Sequence, residues 1–281
     1  MDTPIILLVL LAALLHATWN ALVKTGPDPL LSLASLHVVA GLATIPVIFQ
    51  VPLPNAACIP YLVASVTIHW LYYGLLSSSY RVGELSHVYP ISRGIAPLLV
   101  AAAGALVVGE ILPGLTIVGI VIASGGIILL SFSQGLPWQH DPKPVVFALG
   151  TGLSIAAYTV IDGLGVRHSV DALSYISWLF VLEGATFGPF VYLLRRNKIA
   201  GHWRQRGWAL VCGGLASAGA YGLVIYAMNY NPMAMVSALR ETSVLMAALI
   251  GTLLLKEGYG KVRVTAALLV TGGVLIMNVA A

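Results

Sequence analysis

The chain has 281 residues, 59% of them apolar and 9% charged, against about 25% charged in an ordinary soluble domain. That charge cannot cover the surface of a water-soluble protein of this length, whereas a lipid-facing surface needs almost none, so a soluble enzyme or binding domain is excluded. The net charge is +4, and five basic residues crowd RRNKIAGHWRQR at 195–206, the mark of a loop held on the cytoplasmic side of a membrane rather than of a nucleic-acid partner.

A bilayer core of about 30 Å needs about 20 apolar residues per helix. Polar breaks divide the chain into ten such segments, 4–23, 30–50, 59–79, 85–108, 112–132, 144–163, 172–193, 208–228, 233–255 and 262–280. The first lacks the basic lead-in and small-residue cleavage site of a secretory signal, so it is expected to stay in the mature protein. Within it His16, Trp19, Asn20 and Val23 fall on one face at helical spacing. A stripe of imidazole, indole and amide is disfavoured against lipid, and lining a cavity is its functional reading; helix packing is the competing one.

The second segment carries His37, read as a packing group, and Pro46. The third carries HWLYYG near its middle, so His69, Trp70, Tyr72 and Tyr73 are candidate cavity residues rather than an interfacial belt. The fourth holds Arg93 between Pro90 and Pro97 and is followed by Glu110; the fifth holds Gly125 and Gly126. Tyr158 and Asp162 lie in the sixth segment, and Asp162, one residue from its expected end, is read as interfacial, as are Glu110 and Glu257. Glu183 stands near the centre of the seventh, ahead of Pro189. A carboxylic acid at mid-bilayer can carry a proton, and Glu183 is the first candidate for coupling to a proton gradient. Tyr221 belongs to the eighth segment and Arg240 with Glu241 to the ninth. A guanidinium offers a planar fork of donors for a carboxylate or phosphate, so Arg93 and Arg240 are candidates for an anionic substrate group, while Glu241 is a second proton candidate or a neutralising neighbour. The prolines bend their helices, and the small-residue runs offer close-packing surfaces.

Arg93, Glu110, Gly125 and Gly126 recur as Arg240, Glu257, Gly272 and Gly273 at an offset of 147, and Gly41 with Pro46 recurs as Gly184 with Pro189 at 143. Tyr73-Gly74 recurs as Tyr221-Gly222 at 148, and Trp19 faces Tyr158 at 139. The expected fold is therefore all-α and polytopic, ten transmembrane helices in two five-helix repeats, 1–135 and 136–281, making one membrane domain. Five is odd, so the second copy enters the membrane from the opposite side. Inverted repeats of this kind are typical of secondary transporters that open a midplane site to each side in turn. On this reading Arg93 and Arg240 lie towards opposite faces of the membrane.

HATWN in the first helix, AYTVID in the sixth, GE and KE closing the fourth and ninth, and Gly-Gly pairs in the fifth and tenth resemble the drug/metabolite transporter superfamily, EamA type. The resemblance spans essentially the whole chain. It implies a carrier whose cavity is lined by helices 1 to 4 and 6 to 9, with helices 5 and 10 peripheral.

Loops after the odd-numbered helices hold eleven Lys and Arg and the remaining loops and termini hold one, Arg167. The charge rule puts both termini outside the cytoplasm, whereas the resemblance implies both inside. Cys58 and Cys212 lack metal-site spacing and are read as free thiols. Walker and HEXXH sequences are absent, so neither an ATP-driven pump nor a metal-dependent membrane enzyme is expected, and no cofactor or metal is. The leading expectation is a secondary transporter of the bacterial inner membrane, an exporter of a small polar or amphipathic metabolite such as an amino acid, working by alternating access with proton coupling. A flippase for a lipid-linked molecule and a non-transporting scaffold are the alternatives. A monomer suffices, since the duplication supplies two halves; a dimer is also compatible.

Overall fold

The computed structural model of the protein describes residues 1–82, 85–132, 141–246 and 261–279. They form α1 (Thr3–Lys24), α2 (Pro29–Ile48), α3 (Ile59–Val82), α4 (Leu85–Ala103), α5 (Gly114–Leu129), α6 (Lys143–His168), α7 (Ala172–Leu194), α8 (Ile199–Tyr230), α9 (Met233–Arg240) and α10 (Lys261–Val279). Nine spans among the described residues are long and apolar enough to cross a membrane, and no strand occurs among them. Residues 247–255 of the ninth expected segment, with Lys256 and Glu257 after it, lie outside the described residues.

Local chemistry sets the helix ends. Asp28 accepts from the Leu31 N–H at 3.1 Å and Asp171 from the Ser174 N–H at 2.8 Å, each satisfying a donor that the first turn leaves open. These caps stand 143 residues apart, so α2 and α7 start in the same way. α4 closes through a π turn, Gly104–Val108, and Gly109 at φ 74° reverses the chain, a conformation that a Cβ disfavours. The reversal turns Glu110 back over Gly104, whose carbonyl accepts from the Glu110 N–H at 3.0 Å.

Two boundaries differ from expectation. α6 runs five residues beyond 163, with Gly163 and Gly165 packed closely against Met233 and Tyr175, so tertiary packing overrides the poor helix propensity of glycine. α8 begins at Ile199 rather than 208, so most of the expected basic loop is helical and the loop proper is Arg195–Lys198. With 32 residues, α8 is about 48 Å long and exceeds the hydrocarbon thickness.

The helices pack as α1 on α8, α3 on α6, α2 on α7, α4 on α9 and α5 on α10. Exchanging the first five helices with the last five maps this set of pairs onto itself. Close contacts repeat the relation. A Cβ on Gly184 would stand 2.6 Å from the His37 carbonyl oxygen and one on Gly41 2.9 Å from that of Phe180, with 37 and 41 each 143 residues before 180 and 184. A Cβ on Gly273 would meet the Gly119 carbonyl at 2.5 Å and one on Gly126 that of Ala266 at 3.1 Å, and here the offset is 147 in both cases. Gly125 and Gly272 have open space instead, so only the second glycine of each pair forms the close surface.

Among the described residues the turns after α1 and α7 lie at one end of the bundle, the basic face, and those after α2, α4, α6 and α8 at the other, the second face. At the basic face Asp28 pairs with Arg195 at 3.2 Å, and Arg206 donates to the carbonyls of Leu22 and Thr25 at the end of α1. At the second face Glu110 pairs with Arg167 at 2.7 Å, and Arg167 also donates to the carbonyls of Met228 and Asn231.

Candidate functional site: a buried acid and two histidines

Midway along the bundle is a cavity of about 40 Å³, room for a few water molecules. Its walls come from seven helices. α1 supplies His16 and Trp19, α2 His37, and α3 His69, Tyr72 and Tyr73. Tyr158 of α6, Phe180 and Glu183 of α7, Ser217 and Tyr221 of α8 and Arg240 of α9 complete it. Nine of the eleven residues expected to bind substrate are thereby located around or beside one site, while Asn20 and Trp70 are turned away from it. The Asn20 amide donates to the His16 carbonyl one turn back at 2.9 Å, so the α1 backbone occupies it. The Trp70 ring packs on Phe187 and Phe190, with centroids at 5.8 and 4.9 Å.

Glu183 organises the cavity. α2 and α7 cross where Gly41 and Gly184 meet, and that close approach brings Glu183, the next residue, to 3.5 Å from His37 Nε2. Tyr73 reaches both groups, its hydroxyl 2.5 Å from His37 Nε2 and 3.3 Å from Glu183 Oε2. His37 Nδ1 lies 2.8 Å from the Leu33 carbonyl. A carbonyl only accepts, so Nδ1 carries a hydrogen, and in the neutral ring Nε2 is then an acceptor. The Tyr73 phenol has one hydrogen for two acceptors. Both contacts become hydrogen bonds when one further proton is bound, on Glu183 or on His37.

The other oxygen of the same carboxyl, Glu183 Oε1, is 3.2 Å from His69 Nδ1 but makes no hydrogen bond. His69 Nδ1 is turned instead to the Ser65 carbonyl at 3.0 Å, and its ring stacks on Tyr158 at 4.1 Å. A buried acceptor without a donor costs about 1–3 kcal/mol, and the His69 Nδ1–H, held by the Ser65 carbonyl, is a donor within reach of it. His37, read from sequence as a packing group, is thus part of the site. Its partners lie 36 and 146 residues away, and no local pattern carries that signal.

Arg93 and Arg240 depart from expectation. They do not stand towards opposite faces but share one carboxylate, Glu241, with Arg93 Nε at 2.7 Å and Arg240 Nη2 at 3.4 Å. Each lies mid-depth where α4 crosses α9, so related residues near that crossing meet rather than separate. Two guanidiniums on one carboxylate leave one positive charge in excess, and Arg240 presents it to the cavity.

Asp162 is a further correction. It is fully buried, accepting from the Tyr175 hydroxyl at 2.8 Å and the Tyr221 hydroxyl at 2.5 Å. Its expected interfacial place followed from ending the sixth segment at 163; the longer α6 carries it inside. Glu110 is part-buried in its pair with Arg167. Among the described residues no cluster of His, Cys, Asp and Glu could hold a metal ion. Cys58 is buried and Cys212 exposed, both as free thiols.

The comparisons agree with this architecture. A crystal structure of another protein superposes with a TM-score of 0.82 over 100% of both chains at 16% identity, a likeness of fold alone. No curated protein matches the chain in sequence. The model of the EamA-like transporter family matches residues 142–279, α6 to α10 almost entire. Through that half the chain belongs to the EamA-like transporter family, and it is an integral membrane protein of the drug/metabolite transporter superfamily, a group of membrane transporters.

Proposed function

We propose that the protein is a secondary transporter, an exporter of a small polar or amphipathic metabolite such as an amino acid, working by alternating access and coupled to protons through Glu183. The observation that carries the reading is the cavity itself, which places an acid with two histidines opposite an excess arginine charge. A buried carboxyl that can exchange one proton with its neighbours can link solute binding to a proton gradient. The self-mapping helix pairs and reciprocal glycine contacts support two inverted repeats, 1–135 and 136–281, whose exchange of conformations opens the site to each side in turn. One chain holds both halves, so a monomer is sufficient, and the bacterial inner membrane supplies the gradient.

The cavity volume favours a second reading. At about 40 Å³ it is far below the roughly 300–1,000 Å³ of small-molecule sites, which suits a non-transporting scaffold with a filled centre. In the transporter reading the same volume is that of an occluded state, with both faces latched.

Purified protein in liposomes on a solid-supported membrane separates the two, scanned against amino acids, nucleosides, sugars and organic cations with and without a pH difference. A saturable current for one class, lost in its pH dependence in Glu183→Gln, is the expected result. The scaffold reading is upheld if the panel gives neither current nor uptake of radiolabelled solute.

A further inference from the structure

Asp162 is the largest departure from the sequence reading, and neither the family match nor the proposed function gives it a task. Its carboxyl is buried among α3, α6, α7 and α8. Both oxygens accept phenol hydrogens, from Tyr175 and Tyr221, and no Lys, Arg or His forms an ion pair with it among the described residues. A carboxylate enclosed in this way is held by hydrogen bonds alone.

It is nonetheless connected. The Tyr221 hydroxyl that donates to Asp162 belongs to a ring that lines the cavity and meets the His69 ring edge-on, with centroids 5.5 Å apart. His69 Nδ1 is 3.2 Å from Glu183 Oε1, the oxygen without a hydrogen bond. Asp162, Tyr221, His69 and Glu183 thus adjoin one another as one chain of groups across α6, α8, α3 and α7, continued to His37 of α2 by Tyr73. Depth gives the chain a direction. Glu183 is central in α7, whereas Asp162 lies six to seven residues past the middle of α6, about 10 Å closer to the second face.

The surrounding groups are mostly neutral pairs of donor and acceptor. α3 adds Tyr72 to His69 and Tyr73, α6 adds Tyr158, and α1 adds His16. The fixed charges facing the chain lie across Tyr158: Arg240 and Glu241 of α9 and Arg93 of α4.

We infer that Asp162 is a second proton-carrying carboxyl, coupled to Glu183 through Tyr221 and His69 and placed between Glu183 and the second face. The two acids then share protons taken from that side, and what titrates is the pair rather than either residue. The inference rests on the proton-coupled reading of Glu183.

Infrared difference spectroscopy of the purified protein in lipid nanodiscs, titrated with acid and base, reads the carboxyl C=O bands without any solute. Asp162→Asn is expected to remove one band and to displace the midpoint of the band lost in Glu183→Gln by about one pH unit. A Glu183 midpoint that stays in place in Asp162→Asn overturns the coupling. Should that variant fail to fold, Tyr221→Phe keeps the acid and removes one donor. The Asp162 band is then expected to move, and a fixed or absent band overturns the inference. Because the bands report protonation whether or not a solute moves, coupled bands in a protein that transports nothing would sink the transport reading alone. Transport with independent bands would sink only this one.

Discussion

Glu183 stands one residue from the close crossing of α2 and α7, and its surroundings turn on single hydrogens. Tyr73→Phe removes the hydrogen shared between His37 and Glu183 without changing the ring. It strands two buried polar atoms, so a loss of about 1–3 kcal/mol is expected, read as a lower melting temperature in detergent. The arginine cluster gives a graded test. Glu241→Gln leaves Arg93 and Arg240 without their carboxylate and should cost about 3–5 kcal/mol, whereas Arg93→Leu leaves Glu241 its contact with Arg240 and should cost less; equal losses in thermal unfolding would contradict the shared pair. At this scale a place on the cavity wall was legible where a helix face alone decides, as for His16 and Trp19, and for the mid-span His69, Tyr72 and Tyr73. It failed where the outcome depends on a rotamer or a distant helix. The Asn20 amide turned to its own backbone, Trp70 turned to the α7 phenylalanines, and His37 and Asp162 acquired partners that only the assembled bundle supplies.

Elements were more legible than side chains because the apolar lengths that a bilayer demands leave few alternatives. The errors fell at ends, where glycines packed on Met233 and Tyr175 carry α6 further and a basic stretch prolongs α8 beyond the lipid. The glycine pairs show what repeats alone cannot tell. Gly272 and Gly273 are adjacent in sequence but lie on different sides of α10. Gly273→Ala places a methyl 2.5 Å from the Gly119 carbonyl and 2.6 Å from the Ala123 nitrogen, both rigid backbone, so α5 and α10 must separate at a cost of about 1–3 kcal/mol. Gly272→Ala meets nothing within 4 Å and should be neutral or gain up to about 1 kcal/mol from helix propensity. Thermal unfolding of both variants checks the assignment, and a loss at Gly272 as large as at Gly273 would place the interface elsewhere.

For the whole molecule, the two latched ends and the small cavity belong together. Arg206 with Arg195 ties α7 and α8 to the α1–α2 turn, and Arg167 with Glu110 ties α6 to the chain after α4. If the cavity opens alternately, each latch restrains one side. A latch worth about 1 kcal/mol shifts the population open on that side about fivefold when removed. A cysteine at Ser217, in a protein with Cys58 and Cys212 replaced, would report this through its rate of modification by an impermeant maleimide. Arg206→Ala should raise the rate from the basic face and Arg167→Ala from the second face. Equal rates in both variants and the parent would mean that neither contact restrains the cavity. Applied to vesicles of known sidedness, the same labelling decides between the charge rule and the resemblance on which face is cytoplasmic.

The crossing of Gly41 with Gly184 carries a consequence for how such a chain can diversify. In an assembly of two separate identical subunits, each position near the twofold exists twice, and any change there is imposed on both sides of the cavity together. On the two-repeat reading proposed above, one polypeptide frees the copies from each other while the backbone contact keeps them in register. The neighbours of the two glycines record that freedom, with Ala40 before one and Glu183 before the other. An acid stands on one side only of a crossing whose backbone contacts are reciprocal, so on this reading the cavity has a head and a tail and can distinguish the two ends of what it holds.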